Sequence, residues 1–273
     1  MPFLLATDPA KPDRPNEDFA AVGTNAAVLL DGAGTPPGTA SGCVHGVAWY
    51  ARTLGGLLLG ALGSDDTLSG ALAASIEHVN RLHADTCDLK HAETPSSTVV
   101  ALRWDGTECE YLVLADSVLV LDRPGVSPEV ITDDREAVVG AELRKPMDAL
   151  PTGTPEHDQA LRDYVAALAE HRNRSGGFWV ANTDPTAAHE ALTGRLHLDE
   201  VNALALLSDG ATRLADRFGL ATWRDTLDTL AADGPAALIA QVRTVEDSDP
   251  HGQRWPRGKT RDDATVIYGH ADA

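Results

Sequence analysis

Apolar residues occur along this chain in two patterns, as short continuous runs and as longer stretches with helical spacing. The run at 26–30 stops at Asp31-Gly32, which predicts a buried strand that enters a tight turn. The stretches at 46–62 and 67–86 repeat apolar residues at helical intervals. We therefore expect two long helices to follow the first strands.

Further along, the pattern predicts several strands in succession and then a group of helices. Asp105-Gly106 is typical of a hairpin turn between two of these strands. Predicted strands cover 97–104, 108–115, 118–121, 126–132, 177–181, 203–207 and 264–268, and predicted helices cover 211–218, 222–231 and 235–245. Because the strands come in runs rather than alternating with helices, the order favours a layered α+β fold over a doubly wound parallel sheet.

The segment 133–176 differs from the rest of the chain. It is rich in charge, contains three prolines and carries one predicted helix near 159–172. We interpret it as an excursion from the core that forms a lid or flap over a functional site. Apart from this flap, residues 1–273 are expected to form a single domain.

Composition and charge narrow the functional classes. The chain has 273 residues, of which 43% are hydrophobic, so it can bury a large core. A net charge of −19 argues against nucleic-acid and anionic-membrane partners, although bound cations would still permit a phosphate substrate. No apolar run has membrane-spanning length and the N-terminus lacks the basic region of a signal peptide, so we expect a cytoplasmic protein.

The sulfur and imidazole groups show no pattern typical of a zinc site. Cys43, Cys87 and Cys109 are far apart, which predicts reduced thiols. His78 and His83 are five residues apart on a predicted helix and do not share a face, which argues against a metal role.

Three aspartates border apolar strands. Asp31 and Asp209 each end one, and Asp262 precedes the last one. A carboxylate beside a buried strand is costly unless it is paired or coordinated, and carboxylate oxygens select Mg²⁺ or Mn²⁺ rather than zinc. A single Asp-Gly pair is more often an ordinary turn, so the hypothesis of a metal site depends on the ordered set of acidic motifs.

That ordered set resembles a known family. The motifs are Asn16-Glu17-Asp18, Leu30-Asp31-Gly32-Ala33-Gly34, Pro95-Ser96-Ser97-Thr98, Leu114-Ala115-Asp116-Ser117, Leu207-Ser208-Asp209-Gly210 and Arg261-Asp262-Asp263-Ala264-Thr265-Val266-Ile267. In this order they resemble the type 2C metal-dependent protein serine/threonine phosphatases, over nearly the whole chain.

The resemblance implies a four-layer αββα sandwich, with two antiparallel sheets flanked by helices and a site for two Mn²⁺ or Mg²⁺ ions at one edge. It implies that Asp31 bridges the metals, that the Gly32 carbonyl joins one of them, and that Asp209 and Asp262 complete the other. Glu17 and Asp18 would then bind directly or through water. The implied reaction uses a hydroxide shared by the two cations to attack phosphorus.

Two departures from the family pattern concern the metal site itself. Ala33 stands where many members carry a histidine that protonates the leaving group, so water or the substrate would supply that proton. Arg213 stands where members often carry an aspartate of a third metal site, of which Asp116 remains. A third metal should therefore bind weakly or not at all, or Arg213 replaces its charge.

Two further departures concern residues near the site. Arg14 lies three residues before Glu17 instead of four; it is either the phosphate-binding arginine or a solvated surface residue. Asp263 replaces the usual asparagine after Asp262 and either joins the site or faces solvent. The basic loop at 254–259 could attract a phosphosubstrate, although a solvated loop is the simpler interpretation.

Together these observations predict a cytoplasmic Mn²⁺- or Mg²⁺-dependent phosphatase for phosphoserine and phosphothreonine in proteins. The same fold could instead serve a small phosphomonoester, because fold does not determine substrate. A third possibility is a non-catalytic regulatory module whose altered site no longer turns over.

Overall fold

The computed structural model describes residues 1–34, 39–64 and 67–270, which form two five-stranded antiparallel sheets. In chain order the strands are β1 Phe3–Asp8, β2 Phe19–Val22, β3 Ala26–Leu30, β4 Gly32–Ala33, β5 Ser96–Ser97, β6 Val99–Trp104, β7 Glu108–Leu114, β8 Val118–Asp122, β9 Glu129–Ile131, β10 Leu192–His197, β11 Ala203–Leu207 and β12 Ala264–His270. The first sheet has the order β1-β12-β11-β8-β9 and the second β10-β7-β6-β3-β2, while β4 pairs with β5 in a short separate ladder.

Helices cover the outer face of each sheet. The α-helices of the described residues are α1 Val47–Ala61, α2 Leu68–His83, α3 Arg135–Leu143, α4 Lys145–Asp148, α5 Pro155–Ala169, α6 Asp209–Thr212, α7 Trp223–Asp233 and α8 Pro235–Ser248. Side-chain caps define several starts: the Thr67 side chain accepts from the Gly70 N–H at 3.1 Å, and Thr222 and Asp225 cap α7 reciprocally.

Three apolar layers separate these elements, and the alternation along β3 shows how. Ala26, Val28 and Leu30 pack with α1 and α2, whereas Ala27 and Leu29 point between the two sheets. A third core joins the first sheet to α7 and α8. Both faces of each sheet are therefore buried, which gives the predicted αββα sandwich and explains why β3 reads as a continuous apolar run.

The long periodic elements follow the prediction, and two short ones do not. Instead of a strand at 177–181, the chain forms isolated bridges only, from Phe178 to Arg172 and from Ala181 to Ser97. The predicted helix at 211–218 ends after Thr212, because the following hydrogen bonds are irregular turns.

The segment predicted as a flap forms three helices, α3, α4 and α5, which contact one another. Val139, Leu143 and Tyr164 from these helices pack against a small apolar cluster that includes Ala115 and Phe178. The segment is thus anchored beside the loop that carries Asp116. No helix among the described residues is long and apolar enough to cross a bilayer.

Candidate metal centre

Asp31 leaves the end of β3 with its backbone held on both sides by Thr98. Its N–H donates to the Thr98 Oγ1 at 3.1 Å, and its carbonyl accepts from the Thr98 N–H at 2.9 Å. The Thr98 hydroxyl lies 2.6 Å from the Ser117 Oγ. The motifs that contain Thr98 and Ser117 therefore position Asp31.

The glycines after Asp31 and Asp209 are required by close backbone approach. A Cβ atom at Gly32 would lie 2.5 Å from the carbonyl oxygen of Glu17. At Gly210 it would lie 1.9 Å from the carbonyl oxygen of Asp263. Only glycine fits such contacts, so the two Asp-Gly pairs bring the 17–18 and 262–263 segments against Asp31 and Asp209.

Asp209 starts the short helix α6 and is linked directly to Asp31. Its N–H donates to the Asp31 Oδ2 at 3.3 Å, across a separation of 178 residues. Burial raises the pKa of Asp31 well above its usual value, and the charges of Asp18 and Asp209 raise it further. The two strand-end aspartates thus lie together, as the sequence predicted.

Asp18 is buried without a hydrogen-bond partner on either carboxylate oxygen. Only 6% of the residue is exposed. Burial raises its pKa to about 7, and the charges of Asp209 and Asp262 act in the same direction. The hydroxyls of Thr265 and Ser208 lie near enough to lower the pKa, but neither makes a hydrogen bond of normal geometry to these oxygens. Such a carboxylate is strongly destabilising unless a cation compensates it.

Asp262 lies between two cationic side chains. The Lys259 Nζ is 2.7 Å from its Oδ1, and the Arg213 Nη2 is 3.0 Å from its Oδ2. Burial alone would raise the pKa of Asp262, but Lys259 and Arg213 lower it below the usual value. Lys259 belongs to the basic loop identified in the sequence, and its contact with a predicted metal ligand could not be read from spacing.

Arg213 carries a buried ion-pair network from the site to α8 and β1. Its Nη1 lies 2.5 Å from the Glu246 Oε1, and the Glu246 Oε2 lies 2.8 Å from the Arg243 Nη1. Arg243 in turn contacts Asp8 at 2.7 Å. Since Glu246 is 0% exposed, Arg213 balances a fully buried carboxylate as well as Asp262.

Glu17 and Arg14 lie at the rim of the site. Burial raises the pKa of Glu17, while Lys259 opposes that shift. Arg14 is exposed, and its positive charge also lowers the pKa of Glu17. Asp263 neither joins the carboxylates nor faces solvent freely: its two oxygens accept from the Ala10 N–H at 2.6 Å and from the Glu17 N–H at 2.7 Å. It therefore ties the N-terminal segment to the site.

Asp116 lies in a second acidic group, with a partner that the sequence patterns missed. Burial raises its pKa well above the usual value, and the negative charges of Glu136 and Asp209 raise it further. Glu136 comes from α3, inside the segment predicted as a flap. Ala115, directly before Asp116, has φ +65°, a strained conformation for a residue with a Cβ.

We use the name acidic centre for Asp18, Asp31, Asp209 and Asp262, with Glu17 and Asp116 at its edges. The fold brings these six residues together from five separate motifs, and each interacts electrostatically with at least one other. Their oxygens are spread around Arg213 and Lys259. Among the described residues, the group of ligand atoms that all lie within 4.8 Å of one another belongs to other side chains. The oxygen-only donor set and the unpartnered Asp18 carboxylate fit hard divalent cations.

Comparisons with known proteins concern the whole chain and its fold. A family model described as protein phosphatase 2C matches residues 10–243, whereas no curated protein matches the sequence. A solved bacterial serine phosphatase is similar at 14% identity, with 100% of this chain and 98% of that chain covered and a TM-score of 0.60.

Two further solved structures are similar to the chain at comparable levels. The Mycobacterium tuberculosis serine/threonine phosphatase PstP/Ppp is 17% identical, over 100% of this chain and 99% of that chain, with a TM-score of 0.58. A structure of the PstP catalytic domain in complex with two manganese ions is 18% identical, over 99% and 98% of the respective chains, with a TM-score of 0.57. At these identities the likeness establishes the shared fold.

Proposed function

The chain belongs to the protein phosphatase 2C family of metal-dependent serine/threonine phosphatases, and on this premise we propose that its acidic centre hydrolyses phosphoserine and phosphothreonine in proteins with Mn²⁺ or Mg²⁺. The observation that carries the proposal is the Asp18 carboxylate, which is 6% exposed, has no hydrogen bond and lies beside Asp209 and Asp262. Folding places this carboxylate where a bound cation compensates it well and where it otherwise retains a proton up to about pH 7.

We infer that Asp31, the Gly32 carbonyl, Asp209 and Asp262 hold two ions. Glu17 and Asp18 contribute directly or through water. When bound, such ions would lower the pKa of water and neutralise phosphoryl oxygens, which is chemistry that side chains alone supply poorly. The hard oxygen donors favour Mn²⁺ or Mg²⁺ over softer metals.

The protein's own residues orient the ligands and add fixed positive charge. The Thr98 hydroxyl holds the backbone of Asp31, and Arg213 holds the carboxylate of Asp262. Arg213 also places a permanent cation in the region where other family members bind a third metal. We therefore propose that this chain needs two ions, and that any third ion at Asp116 and Glu136 is weak.

Substrate contacts are proposed from exposure and charge. Arg14 is exposed near Glu17, so its guanidinium is free to meet a phosphate at the rim of the centre. Ala33 offers no proton, so the leaving alkoxide would take one from solvent. The helices α3–α5 would act as the flap, since Glu136 reaches the centre from α3. We place this one-domain enzyme in the cytoplasm.

The test is hydrolysis of a phosphothreonine peptide and of p-nitrophenyl phosphate, with Mn²⁺, Mg²⁺ or EDTA. We expect metal-dependent turnover of both, and its loss in Asp209→Asn. Asp199→Asn is the matched control, because Asp199 is an exposed aspartate of the 3-10 helix Leu198–Glu200. Turnover of small phosphomonoesters without phosphopeptides would favour the small-molecule alternative, and no turnover with any divalent ion would indicate a regulatory module.

A further inference from the structure

A second group of metal-type ligands lies between the loop before α1 and the end of α2. We call Cys43, His45, His83 and Cys87 the Cys/His cluster. One ligand atom from each residue lies within 4.8 Å of all the others. The sequence pattern predicted no zinc site and no metal role for His83. The fold brings the four residues together because the Cys43 and Cys87 segments, 44 residues apart, pack side by side.

Four distances within the cluster are close to the edges of a zinc tetrahedron. The Cys43 Sγ lies 3.3 Å from the Cys87 Sγ and 3.7 Å from the His83 Nδ1. The His45 Nδ1 lies 3.4 Å from the Cys87 Sγ and 3.9 Å from the Cys43 Sγ. With zinc bonds of about 2.3 Å to sulfur and about 2.0 Å to nitrogen, tetrahedral geometry requires about 3.8 Å between the sulfurs and about 3.5 Å between sulfur and nitrogen, so shifts of up to about 0.5 Å would complete it.

We propose that Cys43, His45, His83 and Cys87 form a structural Zn²⁺ site that is distinct from the acidic centre. Two thiolates with two imidazoles are the donor set that selects zinc over Mg²⁺ or Mn²⁺. With four protein ligands the coordination is complete, so the site has no open position for substrate or water. Its role is therefore to stabilise the fold.

Contacts of the protein itself hold the ligands in place. The Gly42 carbonyl accepts from the Asp88 N–H at 2.8 Å, which joins the two segments. The Val44 N–H donates to the Cys87 Sγ at 3.4 Å, a bond that favours the thiolate. The Trp49 ring stacks on the His45 ring at 4.3 Å between centroids and shields one side. The site is thus arranged for a ligand by backbone and ring contacts.

A disulfide between Cys43 and Cys87 is the main rival explanation. The two sulfurs are near enough to be joined after a small shift. A disulfide, however, does not account for two imidazole nitrogens directed at the same sulfurs, one of them from His83, which is 1% exposed. A four-ligand metal site accounts for all four groups at once.

Zinc at this position would fix the start of α1. His45 lies two residues before Val47, the first residue of the helix. Val47 packs over the strand that follows Asp31: Cβ atoms at Gly32 and Gly34 would lie 2.5 Å and 2.3 Å from its methyl groups. The Cys/His cluster is therefore coupled by packing to the segment that leads away from the acidic centre.

The test is metal analysis of the untagged full chain, purified under reducing conditions from cells grown with zinc. We expect about one zinc per chain in the wild type and in Asp209→Asn, which damages only the acidic centre. Cys43→Ser/Cys87→Ser should lose this zinc, whereas Cys109→Ala, which changes the third cysteine, should retain it. Equal zinc in the double variant and the wild type would overturn the proposal.

Cobalt provides a readout that does not depend on a folded double variant. Reduced, metal-free wild type titrated with Co²⁺ should develop thiolate-to-cobalt charge transfer and the intense visible bands of tetrahedral cobalt, saturating at one equivalent. His45→Ala/His83→Ala should lose the tetrahedral bands, and His78→Ala, an exposed histidine of α2, should keep them. Only weak octahedral bands in the wild type would refute the site. A metal-free chain with a Cys43–Cys87 disulfide, found by mass spectrometry after alkylation in cells, would refute it too.

Discussion

The acidic centre and the Cys/His cluster are both sets of ligands gathered by folding, yet they differ in how they are assembled. The acidic centre draws its carboxylates from the ends of strands in both sheets, such as Asp31 after β3 and Asp209 after β11. The Cys/His cluster draws two residues from one loop and two from one helix end. The acidic centre is built on the sheets of the sandwich, and the Cys/His cluster joins the loop before α1 to the end of α2.

Their chemistry differs in the same way. The acidic centre is a spread set of hard oxygen donors with Arg213 and Lys259 among them, and it leaves Asp18 uncompensated. The Cys/His cluster is a compact, closed set of soft and borderline donors. An open set of hard donors suits exchange of water and substrate, whereas a closed tetrahedral set suits stability. We therefore expect substitutions to separate activity from stability.

The largest effect is expected from Asp31→Asn. The substitution preserves shape but removes the charge proposed to be shared by both ions, so kcat should fall by on the order of 10³-fold or more. Stability should not fall, because one buried negative charge is removed. Steady-state kinetics and a thermal melt check both expectations, with Asp199→Asn as control. Substantial remaining activity would show that Asp31 does not hold the catalytic ions.

Arg213→Ala should give the next largest effect, and this time on stability. It leaves Glu246 without one of its partners and Asp262 without its guanidinium, and breaking a buried ion pair costs about 3–5 kcal/mol in free energy of unfolding. Urea unfolding measures the loss. Arg261→Ala is the matched control, because Arg261 makes a more exposed pair with Asp247. If both variants lose an equally small amount of unfolding free energy, Arg213 does not anchor the acidic centre.

Cys43→Ser/Cys87→Ser should lower stability and leave activity nearly unchanged, which is the opposite of the result expected for Asp31→Asn. We expect the melting temperature to fall by about 5 °C or more, since a ligand bound only to the folded state is lost, while kcat at 25 °C stays within about threefold of wild type. Differential scanning calorimetry and the peptide assay measure the two quantities, with Cys109→Ala beside them. A large fall in kcat without a fall in melting temperature would contradict the division of roles.

The metal-free acidic centre should show a characteristic dependence of stability on pH. Because the pKa of Asp18 is raised from 3.8 to about 7 by folding, the folded chain retains a proton that the unfolded chain has lost. The free energy of unfolding should therefore decrease as pH rises from about 4 to 7 and then level off. Chemical denaturation in EDTA across this range measures it. Asp18→Asn should reduce the slope and leave the part due to Asp31 and Asp116, whose pKa values folding also raises; an unchanged slope in that variant would exclude Asp18 as a source.

The smallest effect is expected for Lys259→Met. The Lys259 side chain is 55% exposed and its ammonium contacts Asp262, so removing it frees a carboxylate at little structural cost. An exposed ion pair contributes up to about 1 kcal/mol, which predicts up to about fivefold tighter activation by Mn²⁺. Activity as a function of Mn²⁺ concentration tests this. Weaker activation would instead indicate that Lys259 assists substrate binding.

The sequence predicted the long elements well because local periodicity is enough to define them. The apolar run 26–30 and the helical stretch behind α1 both appear where expected. The strand predicted at 177–181 does not form a ladder because its two ends pair with different segments, Phe178 with Arg172 and Ala181 with Ser97. Glu136 could not be predicted as part of the centre, since only the docking of α3 brings it to Asp116.

By itself, the sequence determined the layered α+β class and the ordered acidic motifs, because buried strands and Asp-Gly turns leave a local pattern in the chain; the resemblance of those motifs to a known family implied the sandwich. Only the tertiary structure decided that Asp263 ties down the N-terminal segment, that Arg213 balances Glu246, and that two cysteines meet two histidines. These contacts join residues with no fixed spacing. Their energies depend on distance and burial in space, which a linear pattern does not encode.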